Sequence, residues 1–332
     1  MRIQQFTGSI VGLAVGDALG YPAEFRSRAQ LLREIGPNGI TDFISLHDPR
    51  FSRPFIAGTA QPPGIYTDDT QMSIAVARGL LESPPDDLDG QMQAIARHFV
   101  SWAGSPENNR APGGTCMTGC ANLRAGAPWR TAGVPESKGC GSAMRVAPIG
   151  LLFADDLDAV ERVARASSLL THGHDAALEG AAAAALLVAL ALRGASPQAM
   201  YDEIMRRCAD RSEDFAACLG DLPDMLERPP EEVLIDRHDG GLGEAWVADE
   251  AVASALYCVW RHPDDYRAGV LCAVNTDGDS DSIAAITGSI LGARLGIEAI
   301  PEHWVADVEN SGALVDLGTQ LWTRRQESAV RA

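Results

Sequence analysis

Ala, Leu and Gly recur at helical spacing throughout the chain, whereas the alternation of β-branched and polar residues that marks strands is nearly absent. The pattern predicts an all-α protein, with helices over about 3–20, 70–82, 88–103, 142–152, 157–169, 175–193, 197–209, 213–221, 246–260, 264–274 and 282–296. No stretch reads as a linker, so residues 1–325 are expected to form a single compact multi-helix domain, with 326–332 as a tail. Two long segments rich in Pro and Gly, 36–66 and 105–116, are expected to be loops, and loops of that length in a compact domain often serve a site.

Two of the expected helices share an unusual texture. Gly8, Gly12, Gly16 and Gly20 fall at every fourth residue of the first, and Gly288, Gly292 and Gly296 do so in the last. Glycine costs roughly 1 kcal/mol against alanine inside a helix, so a repeated stripe implies close approach of two backbones. The two helices are therefore expected to lie at the centre and to bring their ends together.

Each of two helix starts carries a cluster of acids. In YTDDTQMS, residues 66–73, Thr67 or Asp68 suits an N-cap, and acids in a first turn suit the helix dipole. Taken alone the pair is explained by capping. Near the other end of the chain, however, NTDGDSDSIAAITG places Asp277, Asp279 and Asp281, with Ser280 and Ser282, before the glycine-striped helix. A cap uses one side chain, and neither cluster contains a Lys or Arg to answer the remaining charge. Carboxylates and hydroxyls without His or Cys select hard cations, Mg²⁺, Mn²⁺ or Ca²⁺. An EF-hand is excluded, because counting from Asp277 its sixth position is Ser282 rather than glycine and its twelfth is Gly288 rather than glutamate. If the clusters converge, their oxygens suit two divalent ions between the helix N-termini, an arrangement able to activate water or clamp vicinal oxygens.

Composition narrows the class. The chain has 332 residues, 46% of them hydrophobic, which is enough for a large core. Its net charge of −18 and the lack of Lys/Arg runs argue against a nucleic-acid backbone as partner, leaving nucleic acid only as a modified substrate. Seven scattered cysteines with no CxxC read as a reducing compartment without a zinc knuckle. Asp17 interrupts the apolar start, so no signal peptide is expected. The apolar run at 181–192 is too short to span a bilayer and suits a core helix. The expectation is a cytoplasmic protein with no membrane partner and, by default, a monomer.

Six stretches occur in the order found in one family: VGLAVGDALGYPAEF, YTDDTQM, RAPGGTC, SKGCGSAMRVAPIG, THGHDAALEGA and AVNTDGDSDSIAAITGSILGARLG. The chain resembles the ADP-ribosylglycohydrolase family over roughly residues 5–300. The resemblance implies an all-α domain with two Mg²⁺ or Mn²⁺ ions that hydrolyses a glycosidic bond to ADP-ribose. Thr67, Asp68, Asp69, Asp279, Asp281 and Ser282 match the metal ligands, with Ser282 where the family usually has Thr and Asp277 where it usually has Gly. Glu24 matches a glutamate near the metals, and Asp69, Asp281 and Glu24 are the candidate catalytic bases. Gly113, Gly114, Gly139, Cys140, Gly141, Ser142, Met144 and His172 match the ligand cradle, with Cys140 standing where many members carry Asn. Arg145 reads equally as a partner for a neighbouring acid or as a phosphate contact.

The expected reaction is metal-dependent release of ADP-ribose from a target. An arginine-modified protein is favoured, because an acidic surface steers a basic leaving group. Serine, nucleic-acid and small-molecule linkages are the alternatives, as is a catalytically silent ADP-ribose-binding scaffold of the crystallin kind. A terpene-synthase-like diphosphate site is disfavoured because Met72 stands where its aspartate motif needs a further acid.

Overall fold

The computed structural model describes residues 1–45 and 62–331, and every extended element among them is a helix. In chain order the helices are α1 (Ile3–Gly20), α2 (Arg28–Glu34), α3 (Asp68–Glu82), α4 (Leu88–Ala103), α5 (Gly114–Arg124) and α6 (Ala147–Leu152). They continue as α7 (Leu157–Ser168), α8 (Asp175–Leu192), α9 (Pro197–Cys208), α10 (Glu213–Gly220), α11 (Leu222–Met225) and α12 (Pro230–Val233). The last five are α13 (Ala248–Arg261), α14 (Tyr266–Val274), α15 (Ser280–Leu295), α16 (Glu302–Asp307) and α17 (Ser311–Arg331). One hydrophobic cluster runs from Phe6 in α1 to Leu321 in α17. Of the loop expected over 36–66, residues 46–61 lie outside the described residues.

The glycine stripes do what their spacing implies. A Cβ on Gly12 would lie 2.5 Å from the Gly288 carbonyl oxygen, and one on Gly292 would lie 2.0 Å from that of Gly8. Gly16 faces Ala284 and Gly20 faces Asp281, so α1 and α15 run antiparallel with their backbones touching. Gln5 Nε2 and Ser9 Oγ each donate at 2.9 Å across this contact, to the carbonyls of Ala293 and Ser289. Both helices are buried on all sides, as is α8. α8 is long and apolar enough to cross a membrane, but 89% of it is buried inside the protein.

Differences from the sequence expectation have local causes. The helix expected over 142–152 is a 3-10 turn at Cys140–Ser142 followed by α6, which starts one residue before Pro148. A proline ring clashes with the carbonyl four residues earlier and lacks an N–H, so a continuous helix cannot pass. α5 has little apolar periodicity; it forms where Gly119 lets its backbone rest on Leu170–Thr171. α17 carries a legible stripe, Leu314, Leu317 and Leu321, and packs on α1 where a Cβ on Gly318 would lie 2.7 Å from Thr7 Cα.

The antiparallel pair fixes the site. It sets the C-terminal end of α1 beside the N-terminus of α15, and the chain leaving α1 is tied to the loop before α15 by Phe25 N–H donating to the Gly278 carbonyl at 3.1 Å. The N-termini of α3 and α5 meet at the same place, where Gly113 N–H donates to Asp68 Oδ2 at 3.2 Å.

Candidate metal and ligand site

At the start of α3, Thr67 is the N-cap, its Oγ1 accepting from Asp69 N–H at 3.3 Å. That leaves Asp68 and Asp69 with no capping role. Beneath them lies Asp17, fully buried in α1, whose carboxylate accepts from Thr67 N–H (2.9 Å), Thr70 N–H (3.0 Å) and Thr70 Oγ1 (2.5 Å). Asp17 thus fixes the first turn of α3 from below. Its signal in the sequence was a single carboxylate in an otherwise apolar, glycine-striped helix, since a buried charge needs hydrogen-bond partners.

At the start of α15, Asp279 is the N-cap, accepting from Ser282 N–H at 3.4 Å, while its own N–H donates to the Glu244 carbonyl at 2.9 Å. Glu24, Asp279 and Asp281 are buried, and each offers an oxygen within 4.8 Å of the others. Asp68, Asp69, Glu24, Asp279, Asp281 and Ser282 all line one cleft of about 310 Å³. Thr67 does not line it and serves as the cap behind it. Asp277 is also outside; its Oδ1 accepts from Arg28 N–H at 2.6 Å and so secures the start of α2.

Crowding governs the electrostatics. Burial, and then the negative charges of Asp17, Asp281, Asp68 and Asp279, push the Asp69 carboxyl well above the usual range. Asp68 is raised well above it too, first by burial and also by Asp281 and Asp17, although the Gly113 N–H bond works in the opposite direction. Asp17 is raised to about 7 by burial and by Asp281. Asp279 is raised less severely, burial being opposed by bonds that include the Cys140 thiol, whose Sγ donates to Asp279 Oδ2 at 2.8 Å. Among the described residues no Lys or Arg lines the cleft. Asp69 Oδ2 is buried without a hydrogen-bond partner. An orphaned carboxylate oxygen among like charges fits a hard divalent cation, while the neighbouring Cys140 thiol keeps its proton, burial and the Asp279 charge raising its pKa.

The remaining wall of the cleft includes Gly113, Gly114, Gly139, Cys140, Gly141, Met144 and His172. Ser142 is fully buried and turned away, its hydroxyl donating to the Ala177 carbonyl at 3.0 Å. The glycines differ in why they are glycine. A Cβ on Gly139 or Gly141 would meet the His172 ring at 2.9 or 3.0 Å, and on Gly141 also Cys116 Sγ at 2.6 Å, so these two make room for protein. A Cβ on Gly114 would meet nothing within 4 Å, so its side of the cleft is open.

His172 is neutral, its pKa lowered to about 3 by burial and by Arg145. Arg145 donates to Thr171 Oγ1 at 2.8 Å, and Thr171 Oγ1 lies 2.7 Å from His172 Nδ1. The contact with Thr171 fixes the orientation of the imidazole and leaves Nε2 on the side of Gly139 and Gly141. Among the described residues Arg145 pairs with no acid, and it does not line the cleft: it is buried over the Phe99 ring at 4.6 Å and donates to the Ser167 carbonyl at 3.0 Å. Both readings given by the sequence fail because its guanidinium is spent inside the fold. His174, next along, caps α8 by accepting from Ala176 N–H at 3.1 Å. Sequence reasoning also passed over Phe25 and Trp246, which line the cleft beside Glu24 and Asp279.

Known proteins share this architecture from end to end. A family profile described as ADP-ribosylglycohydrolase matches residues 1–330. The mouse ADP-ribosylhydrolase ARH3 is 27% identical over 361 residues, spanning 98% of this chain and 93% of its own length. The ADP-ribosylarginine hydrolase Tri1 of Pseudomonas putida is 26% identical over 320 residues, spanning 96% and 77%. A solved structure described as an ADP-ribosylglycohydrolase-related protein complex superposes with a TM-score of 0.74 at 27% identity, covering 97% of this chain and 98% of that one. The two buried aspartate motifs, the helical scaffold and the end-to-end match together mean that the chain belongs to the ADP-ribosylglycohydrolase family, as a hydrolase of glycosidic bonds to ADP-ribose.

Proposed function

We propose that the protein removes ADP-ribose from arginine side chains of modified proteins, with two Mg²⁺ or Mn²⁺ ions held by its two aspartate motifs. The observation that carries this reading is the convergence of Asp68, Asp69, Asp279, Asp281 and Glu24 in one cleft that, among the described residues, no Lys or Arg lines. Asp68, Asp69, Asp279, Asp281 and Ser282 would hold the ions, with Thr67 fixing the turn behind them. When bound, a divalent pair supplies positive charge that orients vicinal hydroxyls and lowers the pKa of a water molecule.

The chain's own residues account for the rest. Cleavage of a glycosidic bond builds positive charge at the anomeric carbon, and a wall of buried carboxylates stabilises it. Glu24, Asp69 and Asp281 are the groups placed to accept the proton of the attacking water, since all three line the cleft. The first turn of α5, entered through Gly113 and Gly114, presents N–H groups without intrahelical acceptors, which suit a diphosphate. Neutral His172 adds a polar ring nitrogen, Nε2, beside Gly139 and Gly141. Arginine as the target is supported by the charge of −18, which steers a basic substrate, and by the likeness to the ADP-ribosylarginine hydrolase of Pseudomonas putida.

The test is substitution within the cluster. Asp69→Ala and Asp281→Ala are expected to abolish release of ADP-ribose while each variant still unfolds in one cooperative transition. Wild-type rates in both variants would rule out the proposed ligand set.

A further inference from the structure

Among the described residues only three large apolar side chains are exposed, and two of them, Phe25 (57%) and Trp246 (37%), are stacked on each other at the cleft. Their ring centroids are 5.0 Å apart and their planes 20° from parallel. One face of each ring is covered by the other ring, so the exposure falls on what is left. The chain holds this pair in place at a cost. Phe25 has φ of 64°, a left-handed conformation strained for a bulky side chain, of the kind that concentrates at functional sites.

Both backbones are pinned to segments that build the acid cluster. Phe25 N–H donates to the Gly278 carbonyl at 3.1 Å, and the Trp246 carbonyl accepts from Cys140 N–H at 3.2 Å. Phe25 follows Glu24 directly, and the Glu244 carbonyl accepts from Asp279 N–H at 2.9 Å. The rings therefore stand beside the carboxylates where the bond is cut. The Trp246 indole N–H donates to Glu244 Oε2 at 2.9 Å, which adds a carboxylate at the edge of the platform.

We propose that Phe25 and Trp246, with Glu244, form the platform for the leaving group, and that it selects a planar cation of the guanidinium class over neutral, hydroxyl-linked groups. This rests on the reading of the cleft as the place where ADP-ribose is released. An aromatic face attracts a guanidinium by cation–π contact and by stacking, and the carboxylate satisfies its N–H groups. A serine or acyl linkage gains neither.

The experiment uses the full chain loaded with Mg²⁺ or Mn²⁺ and one peptide carrying ADP-ribose on either arginine or serine. In Trp246→Ala the ratio of kcat/KM for arginine-linked over serine-linked substrate is expected to fall by about two- to thirty-fold, the range of a cation–π contact. Trp246→Phe keeps a ring and should retain most of the ratio, and Glu244→Gln keeps the bulk but lowers the ratio by removing the charge. A ratio unchanged in Trp246→Ala, or a wild type that prefers the serine linkage, overturns the proposal.

Calorimetry with free ADP-ribose and with ADP-ribosyl-arginine keeps the test independent of turnover. The wild type should bind the second more tightly, and Trp246→Ala should lose that difference. Equal loss of affinity for both ligands would assign the rings to the adenine and also overturn the proposal. A binding preference without any release would instead refute the reaction while leaving the platform intact.

Discussion

Gly16 lies one residue before Asp17, on the contact between α1 and α15, and Gly16→Ala tests whether that contact sets the site. The added Cβ would lie 2.1 Å from the Ala284 carbonyl oxygen and 2.5 Å from its carbon, both of them backbone atoms in a buried helix that cannot rotate aside. Restoring ordinary contact requires the helices to part by about 1 Å. Overpacking of this kind costs about 3 kcal/mol, and the better helix propensity of alanine returns about 1 kcal/mol, leaving a net loss of about 2 kcal/mol. For a large domain that is roughly 3–6 °C in Tm. The functional loss should exceed the stability loss. The same parting moves Asp279 and Asp281 away from Glu24, Asp68 and Asp69, and a misplacement near 1 Å costs on the order of 10²-fold in rate. Differential scanning calorimetry, an ADP-ribose release assay and a Mg²⁺ titration measure the three consequences. Gly312→Ala, where nothing lies within 4 Å, is the control. A Gly16→Ala protein with unchanged Tm and unchanged turnover would refute the reasoning.

Other consequences follow from the carboxylates and from the open glycine. In protein stripped of divalent ions, Asp17 holds its proton up to about pH 7, whereas an unfolded aspartate releases it near pH 4. The native state therefore binds more protons in that window, and Tm of the EDTA-treated protein should fall as pH rises from about 4 to 7; excess Mg²⁺, which stabilises the ionised cluster, should remove or reverse the slope. A Tm of the stripped protein that rises over that window would contradict the burial-driven shifts. Gly114→Ala has room for its methyl group and suits a first-turn helical position, so its Tm should stay within about 1 °C of wild type. Its affinity for ADP-ribose should nonetheless fall by about tenfold, because the methyl group occupies the open side where backbone meets ligand; unchanged affinity by calorimetry would remove that loop from the ligand site.

The glycine stripe was the most informative sequence feature of the fold, because only backbone contact explains a fourfold glycine repeat in a buried helix, and Gly8, Gly12, Gly16 and Gly20 meet their partners accordingly. Thr67 could be recognised as a cap, and once capping was assigned to it the adjacent acids required another explanation. What local pattern could not show is which group answers which. Arg145 pairs with a threonine, a carbonyl and a phenyl ring brought from α4 and α7 and from the loop after α7, none of them its sequence neighbours. Gly139 and Gly141 were legible as a glycine loop, but the reason for them, the His172 ring, comes from a segment some thirty residues away. Phe25 and Trp246 carry no sequence signal, since an exposed aromatic pair exists only after two distant loops have met.

The proposed reaction of this cleft is release of ADP-ribose from modified arginine with the help of divalent ions. The most direct measurement is mass-spectrometric detection of free ADP-ribose from an arginine-ADP-ribosylated protein, with excess Mg²⁺ and again with EDTA. The account predicts release with Mg²⁺ and its loss with EDTA. Release that EDTA leaves untouched, or no release from a sample shown to bind both ADP-ribose and the metal, would contradict it.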